Sequence, residues 1–135
     1  KLYIRKRENF SSGSKWEPLV GYSRAVKVEN QIFFAGTTAI GADGKLVGQG
    51  DPYQQTIQII KNIEKALIMA GGSLENVVAN RIYVTNINDW EKVGKAHSEF
   101  FGNIRPATTM VEVSGLVDPQ MLVEIDSTAV IEIQD

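Results

Sequence analysis

From Met121 to about Ile133 the chain alternates without a break. Val123, Ile125, Ser127, Ala129, Ile131 and Ile133 fall on one side of an extended strand, and Leu122, Glu124, Asp126, Thr128, Val130 and Glu132 on the other, because successive strand side chains point to opposite faces. The first side calls for helices. The second, with Leu122 and Val130 among acids and threonine, suits water or a wet subunit interface better than a dry core.

The helices that could cover it are marked upstream. Asp51 is an N-cap residue followed by Pro52, where proline costs no hydrogen bond. Ile57, Ile60, Ile63, Leu67 and Ala70 then recur at intervals of three and four, and Gly71-Gly72 supplies a left-handed stop. A second helix is predicted to open at Asn88, which forms a capping-box variant with Glu91. It should bury Trp90 or Val93, Ala96 and Phe100, and it must end before Pro106. Strands are predicted at Ala25–Val28 and Gln31–Ala35, joined through Glu29 and Asn30 with asparagine taking the turn geometry, at Arg81–Thr85 and at Thr109–Val113. Ala42–Lys45 reads equally as a loop or a second hairpin. In the first twenty residues Leu2 and Ile4 alternate with charged neighbours, which predicts a short edge strand and then a loop.

Strands, helix, strand, helix, strand, strand with short connections give an α+β fold, one mixed β-sheet with two helices packed on one face. At 135 residues and 43% hydrophobic composition this is a single domain, residues 1–135, with one core. A partly apolar sheet face without helices is commonly buried by oligomerisation, which moves pockets to the seams between subunits.

Composition removes several kinds of chemistry. With a net charge of -2 nothing favours a polyanion or an anionic membrane, so neither nucleic acid nor membrane is expected as partner. The absence of cysteine excludes disulfides and thiolate chemistry, and one histidine leaves a weak basis for zinc, so no metal or cofactor is expected. GADGKLVGQG lacks the Gly-Lys-Ser/Thr of a phosphate loop, and no Gly-x-Ser-x-Gly is present. KLYIRKRENF lacks the apolar stretch of a signal peptide, and a soluble, cytoplasmic protein is expected.

Two residues stand out. His97 has a pKa range suited to a general base, but it lies beside the apolar stripe of its helix, where packing or hydrogen bonding is the commoner role. Glu124 is a mid-strand carboxylate between Val123 and Ile125. A solvated acid and a pocket acid are both open readings. In a cleft, partial desolvation would raise its pKa and let it relay protons to or from a water.

Tyr22–Val26 (YSRAV), Phe34-Ala35-Gly36, Gln55–Asn62 (QTIQIIKN), Ala70–Val77 (AGGSLENV), Phe100-Phe101, Arg105-Pro106-Ala107 and Val123–Asp126 (VEID) occur in one order from about Gly21 to Ile131. Together they resemble the Rid/YjgF family of reactive-intermediate (imine) deaminases, also called L-PSP. The resemblance implies a chorismate-mutase-like fold, a homotrimer with inward-facing sheets, and small-molecule clefts between subunits. Members that are enzymes hydrolyse small enamine or imine acids to ketoacids and ammonia, and an arginine directly after Pro-Ala grips the substrate carboxylate. That position is Thr108 here. The charge-assisted pair so lost is worth about 1.5–3 kcal/mol, roughly 10- to 100-fold in carboxylate affinity. Gly94 and Met110 also replace the family's usual asparagine and frequent cysteine, and SSGSKWEPLVGYSRAV resembles divergent members that lack the arginine.

Tyr22 and Glu124 match the family's pocket tyrosine and glutamate, so Glu124 is the expected catalytic residue. Tyr22, Thr37, Arg81, His97, Arg105 and Thr108 are the expected ligand-binding positions, with Arg81, Arg105 and His97 as candidate replacement cations. The expected function is a small-molecule cleft that is not an efficient 2-imino acid deaminase and acts, as a hydrolase, on another small substrate. The alternative is a non-enzymatic ligand-sensing or interaction trimer. Endoribonuclease or translation-inhibitor activity, a label the family sometimes carries, is disfavoured by the net acidity.

Overall fold

A computed structural model describes residues 6–132. Six strands form one sheet in the order β1-β2-β3-β6-β4-β5, with β1 at Arg7–Phe10, β2 at Ala25–Val28, β3 at Gln31–Phe34, β4 at Val77–Val84, β5 at Ala107–Glu112 and β6 at Val123–Val130. Every neighbouring pair is antiparallel except β4–β5. The long helices α2 (Pro52–Met69) and α3 (Trp90–Phe101) lie on one face. A short helix α1 (Trp16–Val20) links β1 to β2.

The pleat of β6 sorts its residues as its sequence predicts. Val123, Ile125, Ser127 and Ala129 are buried, while Glu124, Asp126 and Thr128 are only half-buried and Val130 is exposed. Ile32 and Phe34 of β3 and Ile82 and Val84 of β4 extend the buried side, and Ile59, Ile60, Ile63, Leu67, Val93 and Phe101 close it from the helices. The opposite face carries exposed Phe33, Val111 and Val130.

Asp51 caps α2 as expected, accepting from the Gln54 amide at 3.1 Å, and Gly71, at φ 93°, supplies the stop. The buried stripe is shifted from prediction: Ile60, Ile63, Leu67 and Ala70 are buried with Ile59 and Ala66, but Ile57 is half-buried. Gln55, polar and invisible to a hydrophobic pattern, is fully buried because it ties three backbone groups together. Its Nε2 donates to the carbonyls of Gly48 (3.1 Å) and Gln120 (3.0 Å), and its Oε1 accepts from the Leu122 amide (2.9 Å). This pins the loop that delivers β6.

Other expectations are corrected. The hairpin turn places Glu29, not Asn30, at positive φ (56°). Asn86, not Asn88, accepts a capping bond, from the Asn88 amide at 3.0 Å, and a 3-10 turn at Ile87–Asp89 precedes α3. Of the two alternatives at the start of α3 Val93 is buried and Trp90 exposed, Ala96 is buried as expected, and Phe101 rather than half-buried Phe100 completes the stripe. Around Ala42–Lys45 a tight turn with Gly44 at φ 80° is closed by a single Ile40–Leu46 bridge. Strand β4 begins four residues before Arg81, with an irregularity between Val77 and Ala79.

The proposed strand at Leu2 and Ile4 lies outside the described residues. Within them, Arg7–Phe10 pairs with β2, and a helix stands where a loop was expected. That helix rests on tertiary contacts that periodicity does not record. Glu17 is buried, and its Oε2 accepts from the Ser12 amide (3.1 Å) and the Ser12 hydroxyl (2.5 Å). The Glu17 carbonyl receives the amides of Gly21 and Tyr22, and Gly21 sits at φ 89°. The segment that carries Tyr22 and Arg24 is thereby fixed against the sheet. Among the described residues no helix is long and apolar enough to cross a membrane.

Gln55→Leu keeps the volume but strands the three backbone groups that Gln55 satisfies. At roughly 1–3 kcal/mol for an unpartnered buried group, the expected loss in urea unfolding is about 3 kcal/mol. A loss under about 1 kcal/mol contradicts the role assigned to this side chain.

Candidate functional site

Glu124 reaches the open face because the β6 pleat puts Val123 and Ile125 into the core. On one side it is in register with Tyr83 of β4. On the other, the chain leaving β3 stays bound to β6: the Thr37 amide donates to the Ile125 carbonyl at 2.8 Å, and the Ile125 amide to the Thr37 carbonyl at 3.0 Å. That bridge runs Gly36 alongside the Glu124 side chain. A Cβ at Gly36 would collide with the Glu124 carboxylate, so glycine is what leaves room for the acid.

Arg24 completes this group. It precedes β2, its backbone carbonyl accepts from Ala35, and one guanidinium nitrogen donates to the Gly36 carbonyl at 2.7 Å. Its guanidinium carbon lies 5.9 Å from the centre of the Tyr22 ring. Gly36 therefore has an acid against its Cα and an arginine on its carbonyl, with a tyrosine beyond. A groove lined in part by Ser11, Glu17, Pro18, Tyr22, Phe33 and Ala35 reaches this corner at Tyr22, with Arg24, Gly36 and Glu124 outside its lining. A second hollow, lined by Lys27, Asn30, Gly71, Asn76 and Ile131, lies at the hairpin end of the sheet and includes none of these groups.

Two acids share the open face, with different fates. Asp126 forms an ion pair with Arg81 (Nε to Oδ1, 2.5 Å) and accepts from the Tyr83 hydroxyl at 2.8 Å. Arg81 also donates to Thr128 at 3.3 Å. The hydrogen bond to Asp126, with burial adding to it, raises the Tyr83 pKa and keeps this phenol a donor. Glu124 has no ion pair within 4 Å among the described residues. Burial raises its pKa above the ordinary carboxylate value, the charge of Arg24 opposes the rise, and Asp126 reinforces it. An acid so placed can hold a proton nearer neutrality than a surface glutamate and can exchange it with a water.

The seven residues singled out from the sequence do not form one cluster within the chain. Thr37 and Glu124 adjoin Gly36, with Tyr22 beyond Arg24, although Thr37 itself is buried and its hydroxyl donates to the Ala35 carbonyl at 3.0 Å. Arg81 is on the same face as Glu124 but engaged by Asp126. His97 is on the helix side, so the sheet separates it from Arg81. The Ser127 hydroxyl donates to Asn80 Oδ1 (2.6 Å), which turns the Asn80 amide NH₂ toward His97 Nε2 (3.0 Å). That nitrogen must then accept, which specifies a neutral ring with the proton on Nδ1. Burial lowers the His97 pKa in the same sense, and the ring packs 4.7 Å from that of Phe101. Arg105 is exposed at φ 56°, closing α3 through its amide to the Phe101 carbonyl. Thr108 is exposed on edge strand β5, in register with Asn80, and its hydroxyl donates to the Pro106 carbonyl at 2.9 Å. Strand β4 stands between it and β6.

Sequence reasoning missed Arg24 and Gly36 as site residues. The only signal for Arg24 was its nearness to Tyr22 in the YSRAV motif, ahead of β2. Among the described residues no group of three or more histidine or acidic side chains is arranged to hold a metal.

The family model described as Endoribonuclease L-PSP matches residues 13–131. The protein named 3-aminoacrylate deaminase RutC from Acinetobacter baylyi is 35% identical over 112 residues, 83% of this chain and 88% of that protein. A RutC family protein of Pyrococcus abyssi is 39% identical over 113 residues, 84% of this chain and 88% of its own length. The crystal structure of Rv2704 from Mycobacterium tuberculosis, a member of the YjgF/YER057c/UK114 family, superposes with a TM-score of 0.85 at 45% identity, covering 93% of this chain and all of that one. In motif order, matched length and fold alike, this chain belongs to the Endoribonuclease L-PSP family, the Rid/YjgF family.

Proposed function

We propose that this protein binds a small molecule in a cleft built around Glu124, completed by a neighbouring subunit of a homotrimer whose open sheet faces turn inward. Glu124 there acts as the proton-transferring residue in hydrolysis of a substrate other than a simple 2-imino acid. The observation that carries this reading is the half-buried Glu124 carboxylate, raised in pKa and seated in the space left by Gly36. In the reaction, Glu124 takes a proton from water as its oxygen adds to a C=N carbon and passes that proton to the nitrogen, giving a carbinolamine; the hydroxyl proton then follows the same route through Glu124 as the C=O bond forms and the C–N bond breaks, releasing an amine or ammonia. A relative named for deaminating 3-aminoacrylate supports that reaction class.

Tyr22 forms a wall of the cleft and Thr37 fixes its floor through the bridge to Ile125. Thr108 presents a neutral hydroxyl where deaminases of the family present a guanidinium, and exposed Arg105 is the cation nearest to it in sequence. Arg81 and His97 support the sheet, one through Asp126 and the other through Asn80. A net charge of -2 and a single, half-buried histidine argue against ribonuclease chemistry.

Two outcomes are expected. In ammonia release from freshly generated 2-iminopropionate, the protein is inert or nearly so, and Thr108→Arg gains activity by at least about tenfold, the lower end of a charge-assisted pair. An active wild type contradicts the reading of Thr108. The second concerns stability. A carboxylate with a raised folded pKa binds more protons in the folded state between its unfolded and folded pKa values. Its contribution is therefore fully present at low pH and lost as pH rises from about 4.3 through the folded pKa. Glu124→Gln removes that loss, so thermal unfolding of the variant should decline less than that of the wild type as pH is raised from about 4 to 7. Parallel pH curves argue against a desolvated Glu124.

A further inference from the structure

We propose that helix α1 is a clasp between copies of this chain. Its apolar crest, Trp16, Leu19 and Val20, packs on the loop at residues 114–120 of the next copy, around the partner's Val117, and the contact closes the rim of the Glu124 corner. The inference rests on the homotrimer proposed above and names the two segments that join one subunit to the next.

The first support is the orientation of α1. A surface helix ordinarily turns its charged residues to water and its apolar residues to the core. In α1 the sides are exchanged. Glu17 is buried and bonded to the Ser12 amide and hydroxyl, while Leu19 is 74% exposed, Val20 71% and Trp16 48%. Rolling the helix to bury those three would break the bonds that satisfy the Glu17 carboxylate. The apolar surface also continues past the helix. Pro18, Tyr22 and Phe33 line the groove beside it, and Phe33 is exposed on the open sheet face, so one surface runs from that face on to α1.

The second support is position. A closed ring of more than two copies joins two different surfaces of the same chain. Val117 is 80% exposed, more than any other large hydrophobic side chain among the described residues, and Leu19 and Val20 come next. Helix α1 lies at the β1–β2 edge of the sheet, and residues 114–120 follow edge strand β5 at the other. Both stand at the same end of the strands. Phe10, Ala25 and Phe34 are partners at the end where α1 is inserted, the Thr37–Ile125 bridge continues that end to β6, and Val123, Val84 and Glu112 are partners where the loop departs. Rotation about an axis along the strands, with the open faces inward, leaves each segment at its own height. It therefore brings α1 of one copy level with the loop of the next, and Glu124, at the same end of β6, lies beside the join.

The third support is charge. Lys15 is exposed at the start of α1, its ammonium 5.0 Å from the centre of the Trp16 ring. Asp118, exposed and adjacent to Val117, is the only charged residue in 114–120. An apolar patch flanked by a cation thus meets one flanked by an anion, whereas two α1 crests facing each other across a twofold axis would oppose Lys15 to Lys15.

The chain contains no cysteine, so an introduced pair reports a single contact. Full chains carrying Leu19→Cys and Val117→Cys are co-expressed, purified and oxidised, beside each variant alone, while wild type and Leu19→Asp are followed by sedimentation velocity over a dilution series. The co-expressed pair should give a disulfide-linked dimer on a non-reducing denaturing gel, and neither variant alone should. Leu19→Asp should dissociate at concentrations at least about tenfold higher than wild type does, with an unchanged circular dichroism spectrum. A trimer that persists in Leu19→Asp, with no mixed disulfide, overturns the clasp and leaves the trimer standing. A disulfide formed by Leu19→Cys with itself places α1 on a twofold contact and also overturns it. A wild type that is monomeric throughout the series overturns the homotrimer, and the clasp with it. Should Leu19→Asp fail to fold, the mixed disulfide decides.

Discussion

The pleat of β6 is the constraint on which the site depends. Central in the sheet and bonded to both β3 and β4, β6 cannot shift by one residue without turning Val123, Ile125 and Ala129 out of the core and Glu124 and Asp126 into it. The apolar cost of such a slip fixes the register, and the register fixes which carboxylates face outward. Gln55 reinforces it from the helix layer by holding the Leu122 amide at the entry to the strand. The position of a chemically interesting acid is thus set by groups that take no part in chemistry.

Within that frame neighbouring charges decide what each acid does. Asp126 has an arginine and a phenol in direct contact and is committed to the sheet. Glu124, two residues earlier on the same face, has neither, and burial beside Gly36 shifts it toward its protonated form. An ion pair that occupies one carboxylate, beside burial that raises the pKa of its neighbour, separates a structural acid from one placed to move protons. Arg24 is close enough to moderate Glu124 without forming an ion pair with it, which leaves both groups available at one small corner.

Much of the fold was legible because it follows from repeated local patterns. The alternation of β6, the Asp51-Pro52 start of α2 and its glycine stop each reflect one dominant physical term, and each stands where the sequence places it. What was not legible depends on contacts between distant residues. Helix α1 has too few turns to show a period and is held by Glu17, Asn86 rather than Asn88 caps the turn before α3, and Trp90 is left outside although its side chain is large and apolar. The site divides in the same way. The face on which Glu124 lies was legible from the pleat, and Tyr22 from its motif. That Arg81 is engaged by Asp126, that His97 lies across the sheet, and that Arg24 reaches the Gly36 carbonyl all require the strand order, which no linear pattern supplies.

The central claim is that Glu124 is a desolvated acid in a working cleft rather than a solvated strand residue. Its most direct test is an NMR titration of the Glu124 side-chain carboxyl in the intact protein, assigned by comparison with Glu124→Gln. The account predicts a midpoint clearly above the ordinary glutamate value of about 4.3, and a further rise when Arg24 is replaced by methionine. A midpoint at or below that ordinary value, unmoved by loss of Arg24, would contradict it.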